Sequence, residues 1–303
     1  MDADHAITVI VVTWNSAPVI DGFLGSLPAA MAATPGWRLI VVDNASTDGT
    51  RDRVTAGAPE ATIVNTGRNA GYAAGINAGI AAAPGAAAYL LLNPDVRLAP
   101  GCVQEMWRAS LRAGTGIVVP RLEDEAGGLH WSLRRDPSVL RALAEAVLGG
   151  VRAGRRGLGE VITDPAQYAT GRTVDWATGA AMLVTRPCAA VVGPWDESFF
   201  LYSEETDFAQ RARYAGFAVR YAPQAVAVHI GGDVHVSADL YTLLAQNKVR
   251  LFRRRAGALA ATGFSAAALL NEALRCASPI HRAAFSALVR QFRAELRPDR
   301  RRA

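Results

Sequence analysis

The chain has 303 residues, half of them hydrophobic and 19% charged. That composition excludes a disordered, collagenous or low-complexity protein, and the length suits one large α/β domain or two small ones. The net charge of +5 is modest. Basic runs at "KVRLFRRR" (Lys248–Arg255) and at the terminal "RPDRRRA" suit an anionic partner, either a membrane surface or a phosphate-bearing substrate, unless they are a solvated helix face.

The first 120 residues alternate in a regular way. "ITVIVVTW" (Ile7–Trp14) is continuously apolar and β-branched, as in a strand covered on both faces. "RLIVVDN" (Arg38–Asn44), "ATIVN" (Ala61–Asn65), "AYLLLNPD" (Ala88–Asp95) and "GIVVP" (Gly116–Pro120) repeat the pattern. Between them, Val19–Ala33, Gly49–Ala56, Tyr72–Ala83 and Gly101–Ala113 read as helices. The alternation predicts βαβ units, hence an α/β fold with a mostly parallel central sheet flanked by helices. In such sheets ligands sit outside the carboxyl ends of the strands. Those ends carry Thr13-Trp14-Asn15, Asp43-Asn44 and Asn93-Pro94-Asp95, which should converge on one crevice.

Arg121–Val174 is irregular apart from a predicted helix at Ser138–Leu148, and reads as a variable insertion or lid. "VDWATGAAMLVTR" then predicts a strand pair or a strand with a glycine bend. A helix follows the acidic stretch to about Ala215, "AVRYAP" and "AVAVHI" read as two strands, and two or three helices close the chain. The division expected is 1–120, 121–238 and 239–303, the last a helical extension. The most apolar late stretch, Ala256–Asn271, falls short of the roughly 20 residues a membrane span needs and reads as a packed or interfacial helix. Glycines 67, 71, 75 and 79, spaced by four, predict a small-residue face for close packing or ligand approach.

Cys102, Cys188 and Cys276 are scattered and form no CxxC, which points to a reducing compartment. The acidic start "MDADHA" is unlike a signal peptide, so a cytoplasmic location is expected. There is no G-x-G-x-x-G after the first strand, no P-loop, no H-E-x-x-H and no G-x-S-x-G, which removes the best support for dehydrogenase, kinase, zinc-protease and hydrolase readings.

Each remaining motif has a plain structural alternative. In "VVDNASTDGT", Ser46 or Thr47 would cap the next helix with Asp48 in its first turn, but capping does not explain Asp43 at the strand end, where it can accept from a base imide or a ribose hydroxyl. "LLLNPDV" could be an ordinary turn, yet Asp95 could hold a divalent cation through oxygen. In "FFLYSEETDFAQR" (Phe199–Arg211), Glu204, Glu205 and Asp207 would favour the positive end of a helix, or form a catalytic cluster at a cleft mouth.

Taken in order, "VVTWNS", "VVDNASTDGT", "GRNAGYAAGIN", "LLNPDV", "WATGAAMLV", "DESFFLYSEETDFAQRARYAG" and "VHIGG" resemble the successive motifs of family-2 inverting glycosyltransferases of GT-A fold, within the rhamnosyltransferase-like branch. The resemblance runs from Ile7 to Arg255. It implies transfer of a sugar, rhamnose by this branch, from a dTDP- or UDP-linked donor to a glycan or polyprenyl-diphosphate-linked acceptor in cell-envelope polysaccharide synthesis. By this resemblance Thr13, Trp14 and Asn15 frame the donor base, Trp14 stacking on it. Asp43 recognises the base, and Asn69, Gly71 and Asn77 belong to the donor pocket. Asn93-Pro94-Asp95 stands where the family has its DXD motif. Asp95 and His229 would hold Mg²⁺ or Mn²⁺ on the diphosphate. Trp176, Gly179 and Glu204 face the acceptor, and Glu205 replaces the family's usual Asp as general base. Asp207 is expected to serve structure, through the helix start or a contact to Arg211.

The partners that follow are the nucleotide sugar, the acceptor, the inner membrane face as a peripheral contact, and a second copy through the C-terminal helices; no nucleic acid is expected. Two other readings compete. A sugar nucleotidyltransferase needs a glycine-rich basic loop after the first strand, which "TWNSAPV" does not supply. An inactive glycan-binding scaffold is permitted by the altered DXD and the Glu-for-Asp change.

Overall fold

The computed structural model describes residues 7–34, 36–231 and 237–295. They form two compact units. One is α/β and comprises the described residues up to Arg134, Pro165–Phe200 and residues 204–231; the other is helical and comprises Arg135–Asp164, Leu201–Ser203 and residues 237–295. The boundaries expected at 120 and 238 are therefore drawn differently: the segment 135–164 clusters with the C-terminal helices. Sequence periodicity is local and cannot report that association.

The α/β unit opens with β1 (Ile7–Thr13), α1 (Ala17–Met31), β2 (Trp37–Asp43), α2 (Thr50–Gly57), β3 (Thr62–Asn65), α3 (Tyr72–Ala81) and β4 (Ala88–Leu92). The four strands are parallel in the order β3-β2-β1-β4. Their alternation of side chains explains the unbroken apolar runs. Val9, Val11, Leu39, Val41, Leu90 and Leu92 share a buried cluster with Ile20, Phe23 and Leu27 of α1. The opposite face meets α3, where a β-carbon on Gly75 or Gly79 would lie 2.5 Å from Val12 or Ile10. The expected small-residue face is thus a packing face at these two positions, while Gly67 and Gly71 precede the helix.

The unit continues with β5 (Val96–Leu98), α4 (Cys102–Ser110), β6 (Thr115–Glu123) and β7 (Leu133–Arg134). The helical unit interrupts it with α5 (Val139–Leu148) and α6 (Gly150–Arg155). The chain then forms β8 (Arg172–Val174), β9 (Trp176–Ala177), β10 (Ala181–Thr185), α7 (Arg186–Val192), α8 (Glu204–Tyr214) and β11 (Ala218–His229). The sheet extends as β4-β10-β6-β11-β5, with β8 also on β11. β5, β8 and β10 run against the other strands, so the sheet is mostly parallel, as expected. The two strands predicted at "AVRYAP" and "AVAVHI" are one: β11 passes through both, with a register shift between Ala222 and Val226. Pro223 sits in that shift, where its missing N–H costs no ladder bond.

The expected cap of α2 is replaced. Gly49, at φ 83°, precedes the helix, and neither Ser46 nor Thr47 caps it. Asp48 instead accepts from the N–H of Thr50 (3.1 Å) and of Ala17 (2.9 Å), tying the starts of α1 and α2 together.

The helical unit ends in α9 (Ala238–Arg255), α10 (Ala258–Ala273) and α11 (Pro279–Glu295). Val249, Phe264 and Leu288 form its core, and Phe252 stacks on Phe264 at 4.1 Å. Lys248 does not belong to a free basic face. Its amine lies 2.5 Å from Glu160 and 3.3 Å from Glu145. Burial opposes its charge, but Glu160 and Glu145 outweigh that and raise its pKa above the usual value. Glu272, also buried, accepts from Tyr241 and Asn271 and pairs with His281 at 2.6 Å. Burial, then Glu272, push the Tyr241 phenol up to about 12. Among the described residues no helix is long and apolar enough to cross a membrane. The basic tail "RPDRRRA" lies outside the described residues.

Candidate active site

The parallel register aligns the strand ends. Thr13 pairs with Asp43 and Asp43 with Asn65, and β4 ends at Leu92 opposite Val11. Beyond that line Trp14 is 56% exposed, so it is no core residue. Asn15, at φ 49°, accepts from the Thr47 N–H (2.9 Å), and its own N–H donates to Ser46 (2.9 Å). Thr13 and Asp43 lie behind this loop, fully buried. Asp43 accepts from the Thr13 hydroxyl and from the Ser46 N–H, both at 3.1 Å, with Arg51 at 3.8 Å. A carboxylate has about four acceptor sites, so contact with a base edge would use those left over. Of Thr13, Trp14, Asn15 and Asp43, only Trp14 and Asn15 are exposed.

Asn69 accepts from the Gly71 N–H at 3.2 Å. Gly71 has φ 89°, and a β-carbon there would overlap the carbonyl of Phe200. The Tyr72 N–H donates to that same carbonyl at 2.9 Å. Only glycine allows this approach, which fixes Phe200 near the start of α8. Asn77 spends its amide on the segment before α8: it donates to the Trp195 carbonyl (3.0 Å) and Glu197 (2.9 Å) and accepts from the Trp195 N–H (2.9 Å). Its place in the site is therefore that of a clamp.

The pairing of β5 with β11 brings Asp95 to His229. Val96 is opposite His229, and the Ile230 N–H donates to the Asp95 carbonyl at 3.0 Å. His229 Nε2 stands 3.4 Å from Asp95 Oδ1. Among the described residues that Oδ1 and His229 Nδ1 are buried without a hydrogen-bond partner. Gly231 closes over Asp95 so tightly that a β-carbon would overlap its Oδ2. Asn93 holds the turn, its N–H donating to the Ala180 carbonyl at 2.9 Å. Among the described residues no three His, Cys, Asp or Glu side chains group as a complete metal site. An oxygen and a nitrogen donor nonetheless face each other, and Mg²⁺ or Mn²⁺ typically takes one or two protein ligands with the rest from substrate phosphates and water. The donor set fits such an ion.

α8 begins at Glu204 directly after Tyr202 and Ser203, both left-handed (φ 69° and 75°). Left-handed backbone at two adjacent non-glycine residues costs energy and tends to mark functional turns. Glu204 is buried and Glu205 half-buried. The Glu205 side chain packs over Gly179, where a β-carbon would meet its Cβ at 3.3 Å. The Tyr72 hydroxyl donates to the Gly179 carbonyl at 3.4 Å. Burial, then Glu204, Glu205 and Asp95, hold the Tyr72 phenol far above its ordinary pKa. Asp207 behaves as expected, accepting from Arg211 at 2.7 Å across one turn. Trp176 is buried and carries Arg134 over its ring at 5.8 Å.

The Glycosyl transferase family 2 pattern matches residues 8–172. The N-acetylglucosaminyl-diphospho-decaprenol L-rhamnosyltransferase of Mycobacterium tuberculosis is 30% identical over 232 residues, 73% of this chain and 75% of the relative. The chain belongs to glycosyl transferase family 2. Among solved structures, the Pyrobaculum calidifontis mannosyltransferase, in complex with GDP-Man and Mn²⁺, superposes with a TM-score of 0.58 at 18% identity, covering 95% of this chain and 75% of that one. S. aureus TarS (residues 1–349) gives 0.52 at 14%, covering 97% and 93%. Both likenesses support the GT-A fold, and the family assignment makes the protein a glycosyltransferase rather than a nucleotidyltransferase.

Two neighbours of this glycosyltransferase site carry no signal in the sequence. Tyr72 looks like any helix-start aromatic until its hydroxyl is found on the Gly179 carbonyl, beneath Glu205. His130 lies in the irregular region after β6, yet its ring meets His229 edge-on at 5.8 Å. Long-range pairing places both, so no local spacing reports them.

Proposed function

We propose that this glycosyltransferase moves a sugar, best supported as rhamnose, from a dTDP- or UDP-linked donor to a hydroxyl of a glycan or polyprenyl-diphosphate-linked acceptor in cell-envelope polysaccharide synthesis. The place of Glu205 on the first turn of α8, packed over Gly179, whose carbonyl Tyr72 holds, carries the proposal. The named activity of the mycobacterial relative supports rhamnose and a lipid-linked acceptor. A cytoplasmic protein working on the inner membrane face fits that acceptor.

The acceptor hydroxyl is a weak nucleophile, so a carboxylate must take its proton as the new bond forms. Glu205, half-buried on the first turn of α8, is that base. Glu204 orients the acceptor, and the Tyr72 phenol, kept protonated, holds the Gly179 backbone beneath Glu205. The acceptor oxygen attacks the anomeric carbon, the bond to the diphosphate oxygen breaks on the opposite face, and the nucleoside diphosphate departs with that electron pair. One displacement inverts the anomeric centre. Asp95 and His229 would hold Mg²⁺ or Mn²⁺, which neutralises charge on the diphosphate when bound. Trp14 supplies the stacking surface for the base. The donor half corresponds to residues 1–120, and the acceptor half to the part of 121–238 that carries Trp176, Gly179 and the acids.

The test is transfer from dTDP-rhamnose and UDP-sugars to a polyprenyl-diphosphate-linked N-acetylglucosamine, with the product's anomeric configuration read by NMR. An inverted rhamnoside is expected. A product with retained configuration would exclude the single displacement, and use of only a non-rhamnose donor would exclude rhamnose. Trp14→Ala should weaken nucleotide binding by about 1–3 kcal/mol in calorimetry. Unchanged affinity would remove Trp14 from the donor site.

A further inference from the structure

Helix α5 is turned the wrong way round for a helix facing water. Its acid, Glu145, points inward to Lys248, and Ala146 is its buried residue. Leu140, Leu143 and Val147, three and four residues apart and so on one face, point outward; Leu140 is 78% exposed and Val147 62%. Val151 of α6 continues the exposed apolar run at 58%, followed by exposed Leu158. α10, packed on α5 where Gly263 meets Val139, adds exposed Leu259, Leu270 and Leu274. A surface helix normally shows the reverse pattern, and exposed large apolar side chains in series mark an interaction face.

Along α5 and α6 the exposed charge has one sign. Between Ser138 and Gly159 the only acid is Glu145, and it is engaged inside. The exposed charges are Arg152, Arg155 and Arg156. Leucines and valines beside arginines, with no exposed acid, form the pattern that inserts shallowly into an anionic bilayer.

We propose that the α5–α6 face of the helical unit, Leu140, Leu143, Val147 and Val151 with Arg152, Arg155 and Arg156, docks on the surface of an anionic phospholipid membrane. The proposal rests on the reading of a lipid-linked acceptor for its purpose, but not for its physics. It moves the membrane contact from the Lys248–Arg255 run, whose lysine is engaged internally, to the segment before it. The apolar side chains supply depth, and the arginines supply the preference for negative lipid.

Flotation of the full chain with phosphatidylcholine vesicles, with and without phosphatidylglycerol, tests this. Recovery with the anionic vesicles at low salt is expected, fading as salt rises. Arg152→Gln/Arg155→Gln/Arg156→Gln should lower that partition on the order of 10²-fold. Leu140→Gln/Val147→Gln should lower it on the order of tenfold or more with both lipids, because exposed apolar area drives insertion. Both variants alter exposed positions, and an unchanged melting temperature and unchanged nucleotide affinity would show that the fold is intact. Absence of wild-type flotation with anionic vesicles, or equal flotation of the variants, overturns the proposal. A wild-type dimer by light scattering that Leu140→Gln/Val147→Gln converts to monomer also overturns it, in favour of a second copy as occupant. Flotation as expected alongside failure to transfer sugar would count against the activity reading and leave the membrane face standing.

Discussion

The two units of this glycosyltransferase gather their carboxylates around opposite kinds of partner. In the helical unit Glu145 and Glu160 close on the Lys248 ammonium, and Glu272 on His281, Tyr241 and Asn271. In the α/β unit burial, then Glu204, Glu205 and Asp95, keep the Tyr72 phenol uncharged. The first arrangement neutralises itself and holds helices together. The second set works against negative charge at Tyr72, a setting in which a carboxylate can be put to use on a proton or a cation. The proposed reading is that the first set of carboxylates serves structure and the second serves chemistry.

If that contrast is right, substitutions in the two places should fail in different currencies. Glu205→Gln keeps the size and much of the hydrogen bonding but cannot take a proton, so transfer should fall by about 10²–10⁴-fold. Donor affinity and melting temperature should stay near wild type, by calorimetry. A Gln variant turning over at the wild-type rate would reduce the acids to an ordinary helix start, worth only about 0.3–1 kcal/mol each to stability. Asp95→Asn should be the next largest loss, on the order of 10²-fold, because it removes the charged oxygen that would hold the cation. The informative readout is a titration of Mg²⁺ and Mn²⁺ against the rate: wild type should saturate and the variant should not respond over the same range. Wild-type transfer undiminished in excess chelator would refute the metal assignment of Asp95 and His229.

The helices and strands of the donor half were legible because each is a local pattern. β1 to β4 show as unbroken apolar runs, and Thr13, Asp43 and Asn93 fall at their ends because parallel register aligns them. The E-E-x-D cluster was legible as chemistry only through the order of the motifs around it. β5 was not legible: three residues after Asp95 give no period, and the strand exists because β11 lies beside it. The single β11 was misread as two because Pro223 signals an end in sequence but sits in a bulge in space. The basic run at Lys248 was read as solvated or lipid-facing because sequence cannot show that Glu145 and Glu160, about a hundred residues earlier, fold against it. The same blindness hid the outward leucines of α5, whose pattern reads as an ordinary core-facing helix until Glu145 is seen to point inward.

The smallest predicted effect on activity, and the sharpest contrast with Glu205, comes from Lys248→Met. Methionine replaces the aliphatic stem but leaves Glu145 and Glu160 without their shared cation. Breaking a fully buried pair costs about 3–5 kcal/mol and a surface pair about 0–1, and Lys248 retains a third of its side-chain exposure, so a loss of about 2 kcal/mol is expected. Thermal unfolding followed by calorimetry measures it. Transfer assayed well below the melting temperature should be unchanged, because the cluster is complete without substrate. The compensating triple change Glu145→Gln/Lys248→Met/Glu160→Gln should recover much of the stability, since it removes the stranded charges together. If Lys248→Met instead lowered turnover as Glu205→Gln does, while melting at the wild-type temperature, the division between structural and chemical carboxylates would fail at its structural end, and the helical unit would have to be counted among the parts that act on substrate.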